Sequence, residues 1–201
     1  MTKPINNSRI IYEGRSRLDG SPIVVVLTGL TKASKNAKTS AMLQTFIIRA
    51  DMHPREALDA GADISICGAC VHRPRWNEEL QKIIRSCYVR LDAVGSVYKA
   101  YTRGRYAHVE VNELASLGEG RAVRLGSYGD PMAVPVYVWQ ALVSRAEKHT
   151  GYTHQWQTAT DKQRDDYQPL CMASADDTAT RDAAQAMGWR TFRVSAANDT
   201  E

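Results

Sequence analysis

The residues of this chain whose types and spacing could do chemistry are four cysteines, three acids that follow apolar runs, and one histidine near a glycine-rich turn. Cys67 and Cys70 form a Cys-x-x-Cys pair on a turn eased by Gly68, and Cys87 follows after sixteen intervening residues. Two thiolates from one knuckle plus later ligands suit tetrahedral zinc, with Cys171 or His72 as the fourth ligand. An iron–sulfur cluster is the alternative and would take four thiolates, Cys171 included. Thiols that only pack in the core would show the same spacing by chance.

The acids are Asp130 in Gly129-Asp130-Pro131, Asp176 after the run Leu170 to Ser174, and Asp51 after the run Met42 to Arg49. Each stands where a strand gives way to a helix. If those strands are parallel neighbours, the acids meet on one rim, where a carboxylate pair could divide nucleophilic and acid–base work. Asp130 and Asp176 are the catalytic candidates. Ser127, Tyr128, Asp51, His154 and Trp156 are the candidates for holding substrate. The competing role for Asp130, and for one of Asp176 and Asp177, is to cap a helix. His53, His108 and His149 read as structural or exposed. No Gly-x-Ser-x-Gly elbow or Ser-His-Asp order is present. Lys38-Thr39-Ser40 lacks the glycines of a phosphate loop.

Cations and aromatics interleave between Arg73 and Arg105, with Tyr88, Tyr98, Tyr101 and Tyr106 among Arg90, Lys99, Arg103 and Arg105. Aromatic faces stack on bases and guanidinium groups bind phosphates, so these cations and Lys38 are candidate nucleic-acid contacts. On an amphipathic helix, however, Tyr98 and Tyr101 would be the buried face.

The elements that must position these groups alternate. Pro22 to Leu30 is a continuous β-branched run, expected as a buried strand, and Met42 to Arg49 a second. His53 to Ala60 reads as a short helix, Ile64 to Ile66 as a strand, Glu78 to Arg85 as a helix and Cys87 to Leu91 as a strand. Val94 to Thr102 reads as a basic helix, Tyr106 to Glu110 as a strand and Asn112 to Leu117 as a helix. Arg121 to Trp156 reads as one β-α-β unit: strand Val123 to Leu125, helix Ala133 to His149 and strand Tyr152 to Trp156. Gln157 to Gln168 reads as a surface loop. Strand Leu170 to Ser174, helix Asp176 to Met187 and strand Trp189 to Val194 complete the order. Met1 to Asp19 is expected as an extended arm and Ser195 to Glu201 as a frayed tail.

Such alternation predicts an α/β fold with a largely parallel sheet, in a single domain of 201 residues. A compact or incomplete (β/α) barrel with a cysteine-rich metal knuckle over 67–87 is expected, with an open sheet as the alternative. The net charge is +4, and 43% of residues are apolar without any run long enough to cross a bilayer. With no secretory pattern at Met1-Thr2-Lys3-Pro4, the expected compartment is the cytoplasm.

CGACVHRP from Cys67, SCYVRL from Ser86, YTRGRY, RAVRLGSYGDPMAVP and the closing LCMASADD with GWRTFRV resemble a family of small phage and prophage proteins. That family is similar to phage gene-product-88 type proteins and distantly to phage 7-deazaguanine DNA transglycosylases. The resemblance runs from about Lys38 to Val194. It implies a (β/α) barrel with structural zinc that exchanges guanine in DNA for a 7-deazaguanine base. The alternative is a non-enzymatic, metal-stabilised module that binds nucleic acid or protein, which needs the cysteines and the basic surface but not the acids. The resemblance also implies Asp130 as nucleophile or base, Asp176 as second acid, and Cys67, Cys70 and Cys87 as metal ligands. The Cys-x-Cys-x-x-Cys…His pattern of the tRNA enzymes is absent.

Overall fold

The computed structural model describes residues 7–32 and 41–193. Lys35, Lys38 and the expected tail from Ser195 lie outside them.

The chain begins with β1 (Ser8–Arg15), where an extended arm was expected, and continues through β2 (Pro22–Thr28) and β3 (Leu43–Arg49). These three strands form an antiparallel meander. Ile23 to Leu27 have no exposure at all, because β2 is flanked on both sides and its β-branched run meets core on both faces. Helix α1 (Pro54–Asp59) starts at His53, whose Nδ1 accepts from Arg55 N, with proline in the first turn.

An excursion of 72 residues, from Ala50 to Arg121, then separates β3 from the next central strand. Helix α2 (Ile64–Cys67) stands where a strand was expected: Cys67 N donates to Asp63 O and Gly68 N to Ile64 O. A four-residue apolar run carries no period long enough to choose between the two. The hairpin β4 (Arg75–Asn77) and β5 (Lys82–Ile84) replaces the helix expected over Glu78 to Arg85. Its turn is held by Asn77 Oδ1, which accepts from Leu80 N at 2.7 Å. Residues from Cys87 to Arg90 form no strand. Helix α3 (Leu91–Thr102), the two-residue β6 (Ala107–His108) and α4 (Leu114–Gly118) finish the excursion.

Strand β7 (Ala122–Tyr128) opens the β-α-β unit. Helix α5 (Val136–Val143) stops well before His149, because the following backbone is already engaged. Gly120 N donates to Arg145 O and Glu147 N to Arg121 O, which turns the chain back into register with β7. Strand β8 (Lys148–Thr153) therefore begins earlier than expected, and Gln155 to Gln157 form a 3-10 turn rather than strand. Helix α6 (Asp161–Tyr167) occupies the expected surface loop. It is announced by a capping box in which Thr160 and Gln163 satisfy each other's backbone N–H. Strand β9 (Met172–Ala175), helix α7 (Thr178–Ala186) and strand β10 (Thr191–Arg193) close the order.

The fold is α/β. Its eight-stranded sheet runs β10-β9-β8-β7-β3-β2-β1-β6, and all pairs from β3 to β10 are parallel. The expected barrel is not formed: β10 and β6 end the order as open edges. A sequential parallel run is how a barrel begins, but here the antiparallel β2 and β1 occupy the other side of β3 where further β/α units would close it. Among the described residues no helix is long and apolar enough to cross a membrane.

The end of β7 is packed without slack. Gly129 has φ +83°, and a Cβ there would lie 2.7 Å from Ile47 Cβ and 3.0 Å from Ile47 O. Gly104 has φ +61° with open space around it. Gly129→Ala is expected to cost about 2 kcal/mol or more and Gly104→Ala about 1 kcal/mol. Urea unfolding of the two variants checks the difference; equal losses would show that the contact with β3 is not tight.

Candidate metal and ligand site

Parallel α/β sheets place their chemistry beyond the carboxyl ends of the strands. The described cavity, about 560 Å3, lies at that edge. Gly126 to Asp130 reach it from β7, Tyr152 and His154 from β8, Ser174 to Asp176 from β9, and Phe192 from β10. The excursion supplies the opposite wall with Cys67, Cys70, His72, Arg75 and residues from Ser86 to Val89.

Asp130 ties these pieces together. It is buried, and its Oδ1 accepts from Met132 N at 2.9 Å, capping the 3-10 turn after β7. Its Oδ2 accepts from Thr153 Oγ1, His154 N and Gln155 Nε2 at 3.0, 2.9 and 3.1 Å, all from the end of β8. Asp130 N donates to Ile66 O in α2. Burial raises its pKa, and the four donated hydrogen bonds oppose that rise. The carboxylate is thus engaged in holding β7, β8 and the cysteine segment in one arrangement.

Gln155 extends the tie. Its amide donates to Cys67 O at 3.0 Å and accepts from Ala69 N at 3.1 Å, so it cradles the Cys-x-x-Cys turn. Gly68 has φ +53°, and a Cβ there would fall 2.3 Å from Gln155 Oε1. Arg73 closes the turn from the other side with a bidentate pair to buried Asp63 at 2.9 and 2.7 Å. The same guanidinium donates to Gly68 O and Gly61 O. Cys87 N donates to His72 O, which returns the chain to the knuckle.

Within this frame three polar side chains converge. Asp176 Oδ1 is 3.1 Å from His72 Nε2 and 3.7 Å from His154 Nε2. The ligand atoms of His72, His154 and Asp176 all lie within 4.8 Å of one another. Asp177, not Asp176, caps α7: its Oδ1 accepts from Thr180 N at 2.7 Å. That division leaves the Asp176 carboxylate to face the cavity. His72 Nδ1 is 2.8 Å from Ser86 Oγ, and Cys70 Sγ is 4.0 Å from His154 Nε2. Burial lowers the His154 pKa against the pull of Asp176, which favours the neutral imidazole, the form with a lone pair to offer. Burial pushes the Cys70 thiol up to about 11 and the Cys67 thiol well above its ordinary value, with Asp63 adding to the second.

The structure sorts the expected site residues. Asp130, Asp176, Ser127, Tyr128, His154, Cys67, Cys70 and Cys87 line the one cavity. Cys171 does not. It is fully buried in the core, with its Sγ against Gly151, and among the described residues it is not part of the one convergent group of metal-ligand atoms. Asp51 is not in the cavity either: Arg49 holds it in a bidentate pair and keeps its pKa low. Trp156 is buried, with its indole N–H on Ser174 O, and lies outside the lining. Arg90, Lys99, Arg103 and Arg105 lie on or beside α3, away from the cavity. Tyr98 and Tyr101 pack against the core, as an amphipathic helix requires. Ser86, Tyr152 and Phe192 are cavity residues that spacing alone does not single out. No protein-family model, curated protein or solved structure matches the chain.

Replacing Asp130 by Asn turns an acceptor into a donor facing donors. Asp130→Asn is expected to destabilise the protein by about 2–4 kcal/mol and Thr153→Val by about 1 kcal/mol. Chemical denaturation measures both, and an unchanged midpoint for Asp130→Asn would show that the carboxylate is not the tie.

Proposed function

We propose that this protein is a metal-dependent hydrolytic enzyme whose divalent ion is held by His72 Nε2, His154 Nε2 and Asp176 Oδ1. The observation that carries the proposal is their convergence on one point at the rim of a deep cavity. Ligand atoms about 2.0 Å from a zinc ion stand about 3.3 Å apart in a tetrahedron, close to the 3.1 and 3.7 Å seen here. Three protein ligands with one open position is the pattern of catalytic rather than structural sites. His72 has the supporting partner that a ligating histidine needs: with Nε2 toward the ion, Nδ1–H donates to Ser86 Oγ and holds the ring. Two imidazoles and a carboxylate beside the Cys70 thiol suit zinc over magnesium or calcium. An iron–sulfur cluster is less well served, because Cys171 is sealed in the core and does not line the cavity that Cys67, Cys70 and Cys87 reach.

A bound zinc ion would supply a water deprotonated near neutral pH and a polarised substrate oxygen. Asp176 and the histidines fix the position of that chemistry, and Asp130 fixes His154 through its backbone N–H. In the hydrolysis, the water oxygen bonds to the electrophilic carbon or phosphorus. The bond to the leaving group breaks, and the leaving group departs with a proton. Base exchange in DNA, as the resemblance implies, is a different reaction at the same rim. It would need Asp176 as its acid, since Asp130 already accepts four hydrogen bonds.

A second reading rests on the Ser86–His72–Asp176 chain, with contacts of 2.8 and 3.1 Å. Here Ser86 is the nucleophile, His72 its base and Asp176 the group that orients the base.

Metal analysis of the purified protein is expected to find one zinc per chain. His154→Ala and Asp176→Ala should weaken zinc binding by about a hundredfold and Ser86→Ala by about tenfold. Cys171→Ala should leave zinc binding unchanged. Zinc retained by His72→Ala and Asp176→Ala but lost from Cys67→Ala would move the ion to the cysteines and end the proposal. Labelling of Ser86 by a fluorophosphonate in zinc-free protein, abolished in His72→Ala, would favour the second reading.

A further inference from the structure

Both faces of a parallel sheet are normally covered. In β8 and β9, Gly151, Thr153, Ala173 and Ala175 face the core and are buried. The opposite face is different. Tyr152 pairs with Met172, and Phe192 pairs with Ser174 two residues along, so Tyr152 and Phe192 share that face. Their rings meet with centroids 4.4 Å apart and planes at 35°. Arg124 on β7 is in register with Thr150 and so lies on the same face, its guanidinium 5.9 Å from the Tyr152 ring centroid. It also donates to Tyr88 Oη at 2.8 Å. Phe192, Tyr152, Arg124 and Tyr88 thus form a row of planar groups. Phe192 stays 39% exposed and Tyr88 76% exposed. Tyr152, Phe192 and Tyr88 all line the cavity, and Arg75 stands on the wall opposite the sheet.

We infer that this cavity binds a planar aromatic ring bearing an acidic group. The ring lies against Tyr152 and Phe192, and the acid points toward Arg75 and the His72–His154–Asp176 cluster. Tyr152 and Phe192 are stacked on one another, and the ring edges and faces they leave open to the cavity gain from offset or edge-to-face contact with another aromatic ring, which a puckered ring cannot make. The Arg124 guanidinium, 5.9 Å from the Tyr152 centroid and hydrogen-bonded to Tyr88, braces these rings, so less freedom is lost on binding. The orientation of the acid rests on the proposed ion site, whereas the stacking does not.

The test uses the full chain, with zinc and after exhaustive dialysis against a chelator, and two probes: 2-naphthoate, and decahydro-2-naphthoate with the same skeleton and charge but no planarity. Calorimetry is expected to show 2-naphthoate bound about tenfold more tightly than the decahydro compound. Tyr152→Leu and Phe192→Leu should each weaken 2-naphthoate about three- to tenfold and narrow the preference for planarity, with a cooperative thermal unfolding transition retained. Arg75→Met should weaken both probes alike. Equal affinity for the two probes, or full 2-naphthoate affinity in both leucine variants, would overturn the inference. A planarity preference that survives chelation with undiminished affinity would uphold the aromatic surface and remove the ion from the site. A preference with affinity that falls on chelation would uphold both.

Discussion

A single buried carboxylate holds the cavity edge of this molecule together. Asp130 accepts from the turn after β7 and from three donors at the end of β8, while its own N–H is taken by α2. Removing a carboxylate from water is costly unless donors replace the solvent, and here four do. The geometry that results is not negotiable at low cost, since each donor would be left unsatisfied if the edge rearranged. His154 inherits its position directly, because its N–H is one of the four donors.

The cysteine segment is fastened to that same edge by two further devices. Gln155 bridges Asp130 and the Cys67 carbonyl, and the Arg73–Asp63 pair locks the segment from behind. Between them they set His72 across from His154, with ring centroids 5.5 Å apart. A local event finishes the arrangement. Asp177 takes the cap of α7, so its neighbour Asp176 projects into the space between the two imidazoles. Adjacent identical residues therefore have separate duties, one to the helix and one to the cavity.

The open sheet shapes what the cavity can hold. In a closed barrel the strands' inner face would be filled by side chains. Here the face carrying Tyr152 and Phe192 looks across a cavity to the excursion between β3 and β7. The excursion is long and its hairpin small, so space remains between them. The wide separation of β3 and β7 in sequence is thus what makes room for a ligand.

Much of the architecture was written locally. The β-branched run of β2, the proline-first helix α1, the helix α7 and the alternation of elements after β7 follow from apolar period and capping chemistry, which act over a few residues. The capping box at Thr160 was equally legible, although polarity alone suggested a loop. Short apolar or mixed segments such as Ile64 to Ile66 and Glu78 to Arg85 carried no such information, and their conformations were set by partners distant in sequence. Residue type alone picked out Asp130, Asp176, His154, His72 and all four cysteines as chemical groups. Only tertiary structure separated their roles. It buried Cys171, paired Asp51 with Arg49, gave Asp130 to four donors and brought Asp176 between two histidines. The reason is physical: a side chain's chemistry is intrinsic to the residue, but its burial, partners and protonation belong to the surroundings that folding assembles.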